Sequence, residues 1–428
     1  MNAEILCVGS EILLGDIVNT NAAFLSRQLA ELGINCYYQS VVGDNPERIR
    51  ESLRLAFSRA DMVITTGGLG PTYDDITKEV VADYFGAALE LHPPSLEHIK
   101  NTFAKLGATF TPNNEKQAFM PRGGVVFDNN WGTAPGFAIE GGGKTAIMLP
   151  GPPREMVGIF LGRVRPYLEK RSDKVFVSTT IHLFGIGESA AEAKLSKALL
   201  EQKNPTIAPY AKAGEVQLRL TASAPDKATA EEMLAPLVEQ VRGVFRENVY
   251  GVDVGSMQAA LIALLSEKNE TLALAESCTG GMLSARLTEI PGASAVLLGG
   301  VVCYSNESKV NLIGVKPQTL EEHGAVSEQT ASEMAVGVRS ALGADIGLSI
   351  TGVAGPGGGT PEKPVGTVYI SCATKDGVLT QKLALSRGHK DEREVIRNQS
   401  CLHAMNLVRN MPEKRLFPSG NPGGQKQA

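Results

Sequence analysis

Two short segments place a hydroxyl and an amine where they could work together. Ser277 lies in Ala-Glu-Ser277-Cys278-Thr279-Gly280-Gly281, directly after the apolar run Leu272-Ala-Leu-Ala275. A second apolar run ends in Tyr304-Ser-Asn306-Glu-Ser-Lys309. Neither segment holds a histidine, so the residue types point to Ser/Lys amide chemistry rather than a Ser/His/Asp triad. Asn306 is a natural N-cap for a helix over 307–313, which would put Lys309 in its first turn. A cation there opposes the helix dipole, which lowers its pKa and suits a general base. Tyr304 could relay a proton or donate to a developing oxyanion. Cys278 is a competing nucleophile without a neighbouring histidine. The structural alternatives are an N-cap role for Ser277 or Thr279, a solvated Lys309 and a rim position for Tyr304.

Further loops carry glycine and charge. Ser349-Ile-Thr351-Gly352-Val-Ala354-Gly355-Pro-Gly-Gly-Gly359 follows a predicted strand, 345–350, and offers backbone N–H groups to a phosphate. Arg393 and Arg397 share a helix face at i, i+4 spacing, as a phosphate clamp or as a solvated face. Near the N-terminus, Thr66-Gly67-Gly68-Leu69-Gly70-Pro71-Thr72-Tyr-Asp74-Asp75 precedes a helix, a pattern that can cradle phosphate. Its two aspartates could hold a Mg²⁺-type ion, or one of them could cap the helix. Gly9-Ser-Glu11-Ile-Leu-Leu-Gly15-Asp16, continued by Asn19-Thr-Asn21, forms one loop straight after strand 4–8, and Leu149-Pro-Gly151-Pro152-Pro153-Arg-Glu155-Met156 forms another after a late strand. All three N-terminal loops are expected on one sheet edge.

The elements that must position these groups read as two α/β regions. Residues 1–172 alternate strands (4–8, 34–42, 61–65) with helices (22–32, 46–59, 75–85), a rhythm that implies a parallel sheet with right-handed crossovers. Residues 173–252 read as a small α+β module of strands 175–183 and 215–222 with helices 188–200 and 226–245, serving as a spacer or dimerisation element. Ser256 caps a new helix, and βα alternation resumes through 253–411. The run 295–303 reads as a buried strand, and the tail 412–428 as disordered. The expected fold class is therefore α/β, two parallel-sheet three-layer domains joined by the small module.

The 428 residues exceed one comfortable core. A charge of 41 minus 46, or −5, argues against a nucleic-acid surface. The six scattered cysteines read as reduced thiols, and no signal peptide or membrane span is read, so a cytoplasmic protein is expected.

The motifs G-S-E-I-L-L-G-D…N-T-N, T-G-G-L-G-P-T-x-D-D and L-P-G-P-P-R-E-M resemble the N-terminal domain of the competence/damage-inducible protein A (CinA) family. That domain is similar in fold to molybdopterin-binding proteins. The resemblance implies an ADP-ribose pyrophosphatase dependent on a divalent metal, Mg or similar. It carries Asp74 and Asp75 as metal residues, with Glu11, Gly67, Gly68, Gly70, Thr72, Gly151, Pro152 and Glu155 around the diphosphate. Asn113, Lys116 and Gln117 form a further loop of the same pattern.

Ala-Glu-Ser-Cys-Thr-Gly-Gly, Tyr-Ser-Asn-Glu-Ser-Lys and Thr-Gly-Val-Ala-Gly-Pro resemble the same family's C-terminal domain, a nicotinamide mononucleotide (NMN) deamidase. This implies Ser277 as nucleophile, Lys309 as base and Tyr304 as helper, with no metal. Thr279, Gly280, Gly281, Thr351, Gly352, Ala354, Gly355, Arg393 and Arg397 are then the substrate contacts. The family's Gly-Asp-Arg near the C-terminus is replaced by Gly388-His-Lys-Asp-Glu-Arg393, which leaves the arginine assignment open. The expectation is a bifunctional pyridine-nucleotide salvage enzyme, a homodimer acting on small nucleotides and not on nucleic acid. The competing expectation is a pterin- or nucleotide-binding accessory protein without turnover in its N-terminal half. A role in DNA uptake, suggested by the family's name, gains no support from the net negative charge.

Overall fold

In the computed structural model, residues 1–171, 175–212, 214–388 and 392–411 are described. The expected tail at 412–428 lies outside them. The described residues divide into two compact units, one within 1–178 and 221–236, the other within 179–220 and 237–411.

The first unit is built on a six-stranded sheet in the order Asn35–Val42, Asn2–Val8, Met62–Thr66, Lys144–Leu149, Gly136–Gly141, Val125–Phe127. The first four strands are parallel, as the βα rhythm predicts, and the last two add an antiparallel hairpin edge. Side chains alternate across Asn2–Val8 because a strand's period is two. Ile5 and Cys7 pack with Leu25, Leu29 and Ile159 on one face. Leu6 and Val8 pack with Ile49, Leu53 and Val81 on the other. Each fully buried Leu or Ile contributes about 1.5–3 kcal/mol, so both faces are firmly covered.

The helices begin where polar caps allow. Asn19 accepts from the Ala22 N–H at 3.1 Å, and Asn45 from the Arg48 N–H at 3.1 Å. The expected helix at 75–85 starts at Thr77 instead, and neither aspartate caps it.

The C-terminal sheet runs Leu297–Val302, Leu272–Glu276, Ile346–Gly352, Thr367–Thr374, Gly377–Ala384. Its first three strands are parallel and the remainder antiparallel. Leu272 and Leu274 face Leu261, Leu283 and Met405, while Ala273 and Ala275 face Met334 and Val338. This sheet too lies between two covered faces. The run expected as a buried strand is an edge strand, Leu297–Val302, with alternate residues exposed to solvent. Gly299 and Gly300 fall within it, and its outer side has no ladder partner among the described residues.

The middle segment forms a four-stranded sheet, Thr206–Lys212, Glu215–Ala224, Val175–Phe184, Val249–Val252. Two of these strands, Thr206–Lys212 and Val249–Val252, are not among the elements the sequence predicts. The helix expected over 188–200 is two helices, Glu188–Lys194 and Lys197–Glu201, the second capped by Ser196. Ser256 caps Met257–Lys268 as expected, accepting from the Ala259 N–H.

Candidate functional site

In the first unit, the carboxyl ends of Asn2–Val8, Met62–Thr66 and Lys144–Leu149 carry the three loops into one cavity of about 480 Å³. Ligands of open α/β sheets sit at this edge. Glu11, Gly67, Gly68, Gly70, Thr72, Asp74, Asp75, Gly151, Pro152 and Glu155 all line it, with Gln117. Asn113 and Lys116 do not line it. Asp44, which sequence reasoning missed, does, and its carboxylate accepts from the Ser10 N–H and hydroxyl.

Register explains the convergence. Thr66 pairs with Leu149, and the Gly67 N–H then donates to the Leu149 carbonyl at 3.0 Å. Gly67 has φ 97°, and a Cβ there would lie 2.1 Å from the Val8 carbonyl oxygen. Only glycine fits that crossing. The N–H groups of Gly68, Leu69 and Gly70 have no acceptor among the described residues, which leaves a donor nest facing the cavity.

Thr72 Oγ1 meets Asp75 Oδ2 at 2.5 Å and also bonds Asp74 Oδ1, while the Thr72 N–H reaches Asp75 Oδ2 at 2.9 Å. One hydroxyl hydrogen cannot serve both carboxylates, so three hard oxygens converge around a single proton. The Thr72 hydrogen bond holds the Asp74 carboxyl below its ordinary range. This donor set fits a hard cation. Among the described residues no group of three or more His, Cys, Asp or Glu forms a metal cage. Asp74 and Asp75 are the two carboxylates that would hold such an ion.

Lys116 holds this acidic loop from behind. Its ammonium donates to the Asp75 carbonyl at 2.5 Å and the Thr72 carbonyl at 3.1 Å, and pairs with Glu79 at 3.6 Å. Its own carbonyl accepts from the buried Lys78 amine at 2.5 Å. Burial brings the Lys78 pKa down to about 8. Glu155 has a positioning task of its own, accepting from Asn129 Nδ2 at 2.5 Å.

In the second unit, Ser277 follows strand Leu272–Glu276, and its N–H donates to the Ile350 carbonyl at 2.9 Å. Lys309 is 1% exposed, with its Nζ 3.2 Å from Ser277 Oγ. The same Nζ donates to the carbonyls of Cys303 at 2.8 Å and Tyr304 at 3.3 Å. Burial, rather than the helix dipole expected from sequence, is the principal cause that lowers the Lys309 pKa. Lys309 forms no ion pair with a carboxylate among the described residues. The helix carrying it is Asn306–Ile313, capped by Ser305 and not Asn306. Burial pushes the Cys278 thiol up to about 11, which disfavours its thiolate form.

Neither Ser277 nor Thr279 caps the following helix, Met282–Thr288. That task falls to Glu276, which sequence reasoning passed over. Its buried carboxylate accepts from the N–H groups of Leu283 at 3.0 Å and Ser284 at 2.8 Å, and from the Ser284 hydroxyl at 2.6 Å. Ser277 and Thr279 are thus free of capping, and the Cys278, Thr279 and Gly281 N–H groups donate to no described residue. Gly280 and Gly281 both take positive φ, which shapes the turn. The buried Thr279 Oγ1 and Arg397 Nε also lack partners.

The two arginines reach this turn. Arg397 donates to the Thr279 carbonyl at 2.6 Å, and Arg393 to the Gly355 carbonyl at 2.7 Å and the Tyr304 hydroxyl at 3.4 Å. The tyrosine hydroxyl therefore contacts the arginine, and no hydrogen bond joins it to Ser277 or Lys309. Thr351 is spent structurally, its hydroxyl bound to the Ala325 carbonyl at 2.7 Å. Gly352 packs against Val368, and Ala354 is buried.

Together these features define an α/β protein with two separate polar sites, a donor-lined acidic cavity and a serine–lysine pair, both at the carboxyl ends of parallel strands. Comparison with known proteins then gives the family. Residues 4–170 match a probable molybdopterin binding domain, 178–251 the damage-inducible protein CinA KH domain, and 254–411 the CinA C-terminal domain. A putative competence-damage inducible protein of Clostridium tetani is 49% identical over 409 residues, covering 96% of this chain and 99% of that one. A CinA-like protein of Kosmotoga olearia is likewise 49% identical over 96% of this chain and 98% of its own. The chain belongs to the CinA family. Among solved structures, a competence/damage inducible protein from Agrobacterium tumefaciens is 37% identical, covering 36% of this chain and 93% of that one with a TM-score of 0.35. A CinA protein from Thermoplasma acidophilum is 38% identical over 39% of this chain and 96% of its own, with a TM-score of 0.36.

Proposed function

We propose that this chain is a bifunctional hydrolase of pyridine nucleotides. Its C-terminal site would hydrolyse the carboxamide of NMN to nicotinic acid mononucleotide and ammonia. Its N-terminal site would split the diphosphate of ADP-ribose. The observation that carries the first activity is the buried, carboxylate-free Lys309 amine at 3.2 Å from Ser277 Oγ.

A neutral Lys309 takes the Ser277 proton as Oγ attacks the carboxamide carbon. The resulting tetrahedral oxyanion is met by free N–H groups of the 278–281 turn. Collapse breaks the C–N bond, and Lys309 returns the proton to the departing nitrogen, which leaves as ammonia. Water, deprotonated by the same amine, then attacks the ester and frees Ser277. Arg393 and Arg397 suit the phosphate of the nucleotide.

In the N-terminal site, Gly68–Gly70 would hold the diphosphate, and Asp74 with Asp75 would hold the divalent ion. That ion would neutralise charge building on the phosphates. Lys116 keeps the two aspartates in place. The matched family description favours a second reading for this half alone, pterin binding without turnover. The segment 178–251 contains no Gly-x-x-Gly, the backbone clamp of nucleotide-binding KH modules, which supports small nucleotides over nucleic acid as partners.

The test is one full-length preparation assayed with NMN and with ADP-ribose, each with and without EDTA. Ammonia release should be indifferent to the chelator, and AMP release should require the ion. AMP release that resists EDTA would remove the metal role, and binding of a pterin without any AMP would favour the second reading.

A further inference from the structure

A second, shallow and open apolar depression adjoins the acidic cavity, and nothing above assigns it. Trp131, Pro153, Val157 and Leu161 line it, with Arg154 at its edge. Pro153 lines both cavities. The loop after Asn129 also passes between them, since Trp131 faces the apolar one while Thr133 and Ala134 line the acidic one. Two residues of extended chain span at most about 7 Å, so the two walls are close neighbours.

This loop is fixed in place. The buried Asn129 accepts from the Trp131 N–H at 2.9 Å and donates to the Ala134 carbonyl at 2.9 Å and to Glu155. A Cβ at Gly158 would come within 2.2 Å of the Trp131 ring, so the indole is seated directly on the helix backbone. Yet this indole, the only one in the chain, remains 38% exposed. A large aromatic held rigidly but left open is a stacking platform in search of a flat partner.

We propose that the Trp131–Pro153 shelf receives the aromatic base of the nucleotide whose diphosphate rests on Gly68–Gly70. The proposal rests on the diphosphate reading of the acidic cavity. A base suits the shelf because the lining is apolar, with one guanidinium at the rim to stack or to pair with ring acceptors. A sugar or bare phosphate would leave its polar groups unpaired there. The acidic cavity supplies what the rest of the ligand needs, so a nucleoside diphosphate derivative spans both.

Because the chain has one tryptophan, its fluorescence reports this shelf directly. The full-length protein with Mg²⁺ should show saturable quenching by ADP-ribose and by AMP, and none by inorganic pyrophosphate or ribose 5-phosphate. Trp131→Ala should weaken ADP-ribose about tenfold, the order expected for loss of one base–aromatic stack, and leave pyrophosphate affinity unchanged. Trp131→Phe should keep most of the affinity and serves as the folded control. Equal quenching by pyrophosphate, or saturating ADP-ribose binding by calorimetry without any change at Trp131, would overturn the proposal. Quenching by ADP-ribose without AMP release would instead overturn the hydrolase reading and leave the base shelf standing. AMP release from ADP-ribose with a silent Trp131 would do the reverse.

Discussion

Lys309 Nζ stands 3.2 Å from Ser277 Oγ and 2.8 Å from the Cys303 carbonyl, and among the described residues it has no carboxylate to keep it charged. The amine is thus placed to accept a proton rather than to anchor an ion pair. Amidase kcat/KM should rise with pH through the Lys309 pKa, with a midpoint below the ordinary lysine value of 10.5. Lys309→Arg, permanently charged, should be inactive at every pH. A pH–rate profile of ammonia release checks both.

The same burial has a cost in stability. A lysine whose folded pKa is depressed binds its proton less readily folded than unfolded. Its contribution therefore disfavours folding below the unfolded pKa, and the penalty fades as pH rises toward 10.5. Lys309→Met should abolish ammonia release while leaving the protein as stable or about 1 kcal/mol more stable near neutrality. Calorimetric melting of the two proteins side by side measures this.

Glu276 holds the start of helix Met282–Thr288 through three hydrogen bonds from Leu283 and Ser284. Glu276→Ala leaves the buried Leu283 N–H and the half-buried Ser284 donors unmet and should lose about 2–3 kcal/mol of stability. The denaturant midpoint should fall accordingly, and ammonia release should fall with it even under conditions where the variant is fully folded.

This residue marks the limit of what the sequence conveys. Glu276 ends an apolar strand and reads as part of it, because its partners lie beyond a glycine turn that only the fold closes. Asp44 escaped for the same reason, since its contact with Ser10 crosses between two strands. The N-terminal loops were legible because each glycine-rich segment directly follows an apolar run, a purely local signal. The parallel strands followed from their alternation with helices. The antiparallel edge of the first sheet did not, because Val125–Phe127 is only three residues and Gly136–Gly141 begins and ends in glycine. Strand Thr206–Lys212 was hidden by Pro209 in its interior. The Ser305 cap was missed by one position, within the usual error of helix ends.

Arg393 touches the Tyr304 hydroxyl and the Gly355 carbonyl at the mouth of the serine site. If it clamps the nucleotide's phosphate, Arg393→Ala should raise the KM for NMN about tenfold or more with little change in kcat. Nicotinamide riboside, which lacks the phosphate, should be turned over equally by both proteins. Steady-state kinetics with the two substrates separate a phosphate clamp from a structural role.

Lys116 ties the Asp74–Asp75 loop through the carbonyls of Thr72 and Asp75. Lys116→Met should slow AMP release from ADP-ribose about tenfold or more and raise the Mg²⁺ concentration needed for half-maximal rate. Ammonia release from NMN by the same variant should be unchanged. A metal titration of both activities tests it.

The central claim is that Ser277 is the nucleophile that opens the carboxamide. The direct measurement is ammonia release from NMN by Ser277→Ala, with its melting curve recorded beside the parent protein. The melt should be unchanged, and no ammonia should appear above the uncatalysed background. Ammonia release at the parent rate from the folded variant would contradict that claim.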